Sequence, residues 1–203
     1  MDFRTRILEK PFLFSIFKAI IGVKRRTRDL IDQYIKPDSS TMILDIGCGR
    51  GEFAKDLYPS PYVGIDNNPA YIATAQRKFG KYGEFVVGDV SDAKKYASAN
   101  DPTTVLLIGV IHHLSHDQAT SLLSDISDLL GAAGRVITVD PVFTPEQSLS
   151  ARLLAASDRG RYVRSKEETL GLLEQNLEVR IADIRNDWLR IPYTHLVCIA
   201  HKR

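Results

Sequence analysis

Short apolar runs alternate with amphipathic stretches along most of the chain. TMILDIG (41–47), YVGID (62–66), EFVVGDV (84–90), TVLLIGVI (104–111) and RVITVD (135–140) have the apolar density of strands buried on both faces. Between them, RGEFAKDLY (50–58), NPAYIATAQRKF (68–79) and SHDQATSLLSDISDLL (115–130) carry helical periodicity. Pro69 stands in the first turn of the second, and Ser115 and Gly131 bracket the third. KEETLGLLEQ (166–175) reads as a further helix, and LEVRIADI (177–184) and THLVCIAHK (194–202) as two late strands. Too few residues separate those two strands for a helical crossover, so the last strand is expected to insert antiparallel. The pattern predicts one α/β domain over 37–203. It is a Rossmann-like, mostly parallel seven-stranded sheet with an antiparallel last strand and helices on both faces. In such sheets ligands bind beyond the carboxyl ends of the strands. Chemistry is therefore expected just after residues 46, 66, 88, 109 and 140.

Residues 1–36 form a separate N-terminal segment in this reading. The pairs Phe12/Leu13, Ile16/Phe17 and Ile20/Ile21 recur every four residues and make one helical stripe. The stretch is too short for a membrane span and Lys18 interrupts it. It is read as a helix packed on the domain or as a lid. Lys24, Arg25 and Arg26 leave peripheral membrane contact as a further option. A second helical pattern runs from Arg28 to Ile35 and stops before Pro37.

Composition narrows the function classes. The 203 residues carry a formal charge of only +2, which gives no field suited to nucleic acid. The two cysteines, Cys48 and Cys198, have no metal-ligand spacing and read as reduced thiols of a cytoplasmic protein. No metal site is expected.

ILDIGCGRGEF (43–53) is the most informative stretch. A P-loop needs Lys-Ser or Lys-Thr after its glycines, and none follows. The dinucleotide pattern G-x-G-x-x-G fails as well. Gly47, Gly49 and Gly51 are spaced G-x-G-x-G, and Glu52 sits where a pyrophosphate would rest. A carboxylate there suits a cationic ligand such as S-adenosylmethionine. The bend would take its methionine part, Asp66 the ribose hydroxyls, and Asp89 the adenine amino group. Asp45 would order the ammonium side through the loop or a water. Asn67, Val90 and Gly109 complete the expected cofactor set.

ILDIGCGRGEF, GIDNNPAYIATAQRKF, VVGDV, LLIGVIHHLS and LLGAAGRVITVDP, in that order and spacing, resemble the successive motifs of class I S-adenosylmethionine-dependent methyltransferases. The chain also resembles a small type 11/12-like bacterial subgroup of uncharacterised acceptor, through DPVFTPEQSLSARLLAASDRGRYVRS and RIPYTH. Members of that subgroup often accompany polysaccharide genes, so the resemblance implies a sugar or nucleotide-sugar acceptor.

Methyl transfer to a hydroxyl needs alignment, exclusion of water and a base, and no metal is obligatory. His112 and His113 follow the fourth strand and Asp140 closes the fifth, so these three are the candidate base and orienting groups. The spacing does not say which histidine acts. Arg159, Arg161 and Arg164 offer guanidinium forks to an anionic acceptor, and Tyr193 and His195 open the last strand beside it. The N/D-P-P-Y and Pro-Cys patterns of nucleobase methylation are absent. The expected function is O-methylation of a sugar-like or anionic small molecule. A non-catalytic binding partner or sensor for S-adenosylmethionine or S-adenosylhomocysteine is the alternative, and a dinucleotide-dependent oxidoreductase is disfavoured by Glu52.

Overall fold

The structure, a computed structural model, describes residues 23–38, 40–92, 95, 102–158 and 160–203. The apolar stripe at 12–21 and Arg159 lie outside the described residues.

Helix α1 (Val23–Leu30) continues into a π-helical turn, Ile31–Ile35. The elements then run β1 (Ile43–Ile46), α2 (Ala54–Leu57), β2 (Tyr62–Asp66), α3 (Pro69–Phe79), β3 (Glu84–Val87), β4 (Thr104–Ile108), α4 (His116–Leu129) and β5 (Arg135–Phe143). After them come α5 (Leu149–Ala156), β6 (Arg164–Ser165), α6 (Lys166–Leu173), β7 (Leu177–Arg185) and β8 (His195–Lys202). The strand order is β3-β2-β1-β4-β5-β8-β7. β1 to β5 are mutually parallel, and β8 runs antiparallel between β5 and β7, as its short connection requires.

Two apolar layers cover the sheet. One face carries Leu44, Val105, Leu107 and Val136 under Leu122, Leu123 and Ile126 of α4 and Leu172 and Leu173 of α6. The other carries Ile43, Leu106, Ile137 and Val197 under Ile72 of α3, Leu30 of α1 and Trp188. The helices start where side chains satisfy their free N–H groups. Ser115 with Gln118 and Ser165 with Glu168 form capping boxes, and Asn68 caps α3 ahead of Pro69.

Three features differ from the sequence expectation. β5 does not close at Asp140 but runs through Pro141 to Phe143, with Pro141 opposite His195 of β8. The two-residue strand β6 is added, pairing with Val142 and Phe143. The connection after β5 contains α5, whose leucines Leu149 and Leu153 face solvent at 80% and 69% exposure. Its buried face consists of the small residues Ala151 and Ala155 while its leucines lie outside, so large apolar positions do not mark the inward side.

The described part of the N-terminal segment is tied to the domain body. Leu30 and Ile35 are fully buried. The Tyr34 hydroxyl donates to Asp183, and Arg185 donates to Gln33 and to the Tyr34 oxygen. Among the described residues, no helix is long and apolar enough to cross a membrane.

Candidate active site

The glycine bend follows β1 and is tied to β2: Gly47 and Cys48 both donate to the Ile65 carbonyl. All three glycines have left-handed backbone, at φ 76°, 58° and 71°. They differ in surroundings. A β-carbon on Gly47 would meet Val110 at 2.7 Å, and one on Gly51 would meet Phe85 at 2.4 Å. One on Gly49 would meet nothing within 4 Å. Gly49 therefore presents bare backbone to open space, while its neighbours are fixed by packing below.

Asp66 ends β2 beside that opening. One carboxylate oxygen accepts the Gly49 N–H and the other the Asn68 N–H, both at 2.9 Å. These bonds lock the carboxylate in one orientation and leave each oxygen a further lone pair for a diol. Asn67 donates to Asp89 at 3.4 Å, joining the ends of β2 and β3, and the exposed Asp89 leads into a short turn with Val90. Asp45 is placed differently from the expectation. Its carboxyl is only 2% exposed and accepts the Tyr62 hydroxyl at 2.5 Å, so it supports the strand end from within. Burial pushes its pKa up to about 7.

The crevice fits the expected sulfonium nucleoside better than a pyrophosphate. α2 has only four residues, too short to present a helix N-terminus, and the exposed Glu52 precedes it. The open backbone at Gly49, the oriented acid on β2 and Gly109 with φ 73° all lie at the carboxyl ends of β1, β2 and β4.

Beyond β4 and β5, the buried polar groups are organised around His112. Asp140 Oδ1 receives both the His112 main-chain N–H, at 3.1 Å, and Nδ1 of its ring, at 2.6 Å. Nε2 lies 3.2 Å from Asp158 Oδ1. Burial alone would lower the pKa of the ring, but the two carboxylates raise it to about 9. His112 is thus a buried imidazolium between two anions. Burial would raise Asp158, yet the His112 ring, the Tyr193 hydroxyl at 2.5 Å and the Gly160 N–H hold it well below the usual carboxylate range. Gly160 lies so close that a β-carbon there would stand 1.9 Å from the ring.

His113 has the opposite character. It is exposed, its ring centroid lies 4.1 Å from that of His112, and desolvation and the neighbouring cation lower its pKa. The pair therefore divides into a pinned cation and an accessible neutral imidazole.

The remaining expected residues separate. Arg164 gives its guanidinium to the main-chain carbonyls of Ile111, Leu114 and Tyr162, which fastens the connection after β5 to the His112 turn. It is a fastening, not a free fork. Arg161 is exposed on the same connection. Tyr193 holds Asp158, and its other side borders a cavity of about 560 Å³ with Gln147, Ser148, Lys166, Asn186 and Thr194. His195 is 3% exposed, between the rings of Trp188 and Tyr193, and burial drives its pKa down to about 3, so it is neutral. Among the described residues no group of three or more metal-ligating side chains is assembled. Both cysteines are free thiols, and burial raises the pKa of each.

The sequence pattern singles out neither Asp158 nor Trp188. Their proximity to the site depends on the long connections after β5 and β7, which carry no periodic signal.

The chain is similar in sequence and in fold to known proteins. Residues 43–134 match a family described as a methyltransferase domain. The chain is 23% identical over 155 residues to an uncharacterized methyltransferase of Anoxybacillus flavithermus, covering 72% of this chain and 71% of that one. Its fold superposes with a TM-score of 0.64 on a TehB-like SAM-dependent methyltransferase from Corynebacterium glutamicum, at 22% identity, covering 98% and 95% of the two chains. The TM-score is 0.73 with the N-methyltransferase NodS from Bradyrhizobium japonicum in complex with S-adenosyl-L-homocysteine, at 15% identity, covering 98% and 95%.

Proposed function

We propose, from the premise that this chain is a class I S-adenosylmethionine-dependent methyltransferase, that it O-methylates a small, hydroxyl-rich acceptor in the cytoplasm. Bound in the crevice, the cofactor supplies a methyl group already activated by its sulfonium. Asp66 holds the ribose diol, the Gly47–Gly51 bend takes the methionine portion, and Asp89 with Asn67 and Val90 borders the adenine.

The observation that carries the acceptor reading is the division within the histidine pair. His112 is charged and held at both ring nitrogens, so it has no lone pair for a proton. His113 is accessible and neutral near pH 7, the form a general base requires. We assign it the acceptor proton. A proton arriving on His113 is stabilised by Asp158 and Asp140, whose charges oppose the repulsion from His112.

A sugar or nucleotide sugar fits the cavity beside Tyr193, where amide and hydroxyl side chains outnumber charged ones. Arg161 is the described guanidinium left to meet a phosphate or carboxylate of such an acceptor, since Arg164 is already committed.

Production of S-adenosylhomocysteine across a panel of sugars, nucleotide sugars and hydroxy acids tests this reading. His113→Gln should lower kcat by about 10²–10⁴-fold, as loss of a positioned base does, with little change in cofactor affinity. In the unaltered enzyme the rate should fall at acid pH, as His113 protonates below its ordinary value. A His113→Gln variant turning over at the original rate contradicts the assignment.

A further inference from the structure

Gln147 has a fixed place on the wall of the cavity beside Tyr193. β5 carries the chain past Asp140 to Phe143, and a tight turn follows in which the Gln147 N–H donates to the Thr144 carbonyl at 3.3 Å. Ser148 then caps α5 by accepting the Ala151 N–H at 3.2 Å. The residue is thus held between the end of a strand and the start of a helix. Its side chain is held as well, because Nε2 donates to the Val142 carbonyl at 3.3 Å. A carbonyl only accepts, so this bond settles which end of the amide is nitrogen and which is oxygen.

The other end, Oε1, is enclosed and has no hydrogen-bond partner among the described residues. An enclosed amide oxygen costs stability until a donor completes it. Gln147 lines the cavity of about 560 Å³, so that donor can come from a ligand. A carboxylate or phosphate offers Oε1 no hydrogen, and on the cavity wall Lys166 is outweighed by Glu146 and Glu167. An ammonium is met more strongly by a carboxylate than by an amide. A neutral hydroxyl supplies the missing donor. The same wall reaches the histidine turn. Tyr193 borders the cavity and donates to Asp158 at 2.5 Å, and Asp158 lies 3.2 Å from Nε2 of His112.

We propose that Gln147 is a specificity-determining residue, whose Oε1 accepts a hydrogen bond from a hydroxyl of the acceptor other than the one methylated. This role rests on the reading of the acceptor as hydroxyl-rich and adds a requirement to it. The acceptor must present a neutral donor at one fixed place, and an analogue lacking that hydroxyl leaves the amide oxygen unmet. The residue lies outside the 43–134 methyltransferase match, on the connection after β5.

Crystals of the complex with S-adenosylhomocysteine, soaked in glycerol and separately in acetone, test it without a known acceptor. Glycerol donates hydrogen bonds, whereas acetone only accepts them. The expected result is a glycerol hydroxyl within hydrogen-bond distance of Oε1, no acetone at that position, and loss of the glycerol in Gln147→Met. Water alone on Oε1, acetone in the glycerol position, or glycerol retained in Gln147→Met overturns the proposal. Kinetics give a second readout, with an acceptor found in the panel of sugars and nucleotide sugars and with its deoxy analogues. One deoxy position should lower kcat/KM about 10- to 100-fold. Gln147→Met should raise KM for the parent acceptor by a similar factor with kcat within about threefold, and should no longer distinguish the parent from that analogue. Discrimination preserved in Gln147→Met overturns the proposal, since a merely structural role leaves it intact. If no sugar is methylated, the proposed acceptor class fails, and the two soaks still decide the role of Gln147. If Gln147→Met does not fold, the soaks of the unaltered protein decide it.

Discussion

His112→Ala is expected to destabilise the protein by about 3–5 kcal/mol, the range for breaking a buried ion pair by removing one partner. The substitution leaves Asp140, 3% exposed, and the half-buried Asp158 facing each other without the intervening cation. It also removes the surface on which Gly160 packs and loosens the turn that Arg164 and Tyr162 fasten. The same clamp sets the pH dependence. The folded-state pKa of His112, about 9, lies above its ordinary 6.5. Its contribution is therefore complete below pH 6.5 and disappears as pH rises through about 9. Asp158 is depressed, so its contribution is complete above its ordinary 3.8 and is lost on acidification. Melting temperature against pH should show a plateau bounded on the alkaline side by His112. In His112→Ala that alkaline decline should flatten. An unchanged alkaline limb would mean that the ring is not the titrating group.

Gly51→Ala should be nearly as damaging, for a different reason. The left-handed backbone at φ 71° costs an L-residue about 1–2 kcal/mol. The new methyl would also lie 2.4 Å from Phe85 and 2.9 Å from Ala75, and overpacking of that kind costs about 1–3 kcal/mol more. Gly49→Ala provides the contrast. Its backbone cost is similar, but the methyl meets no atom within 4 Å and projects into the crevice. Chemical denaturation should show Gly51→Ala losing much more stability than Gly49→Ala. Gly49→Ala should instead lose cofactor affinity while remaining folded. Equal stability losses would mean that the floor of the bend relaxes around a side chain at 51.

The strands β1, β2 and β4 were legible in the sequence because they are short, nearly continuous apolar runs bounded by turn residues, as strands buried on both faces are. The antiparallel β8 was legible because eight to ten residues cannot hold a crossover helix. The glycine bend and Asp66 at the end of β2 were legible by the same logic, since glycines and acids at strand ends are local signals. The surroundings of His112 were not. Asp158 and Tyr193 meet across 35 residues, and their partnership depends on how the connection after β5 folds back. α5 escaped because its leucines point outward. β5 extends past Asp140 because Pro141, with no N–H to give, still allows pairing with β8 through the flanking residues. Arg164 looked like a ligand fork because sequence does not reveal that three main-chain carbonyls await it.

We propose that the bend at 47–51 and the acid closing β2 together hold a sulfonium nucleoside. Calorimetric titration of the unaltered protein and of Asp66→Ala with S-adenosylhomocysteine, with NAD in parallel, tests it most directly. Saturable one-to-one binding of S-adenosylhomocysteine, no binding of NAD, and a loss of about 1–3 kcal/mol in Asp66→Ala are the expected results. Binding of NAD in place of the nucleoside, or an Asp66→Ala variant with undiminished affinity, would contradict it.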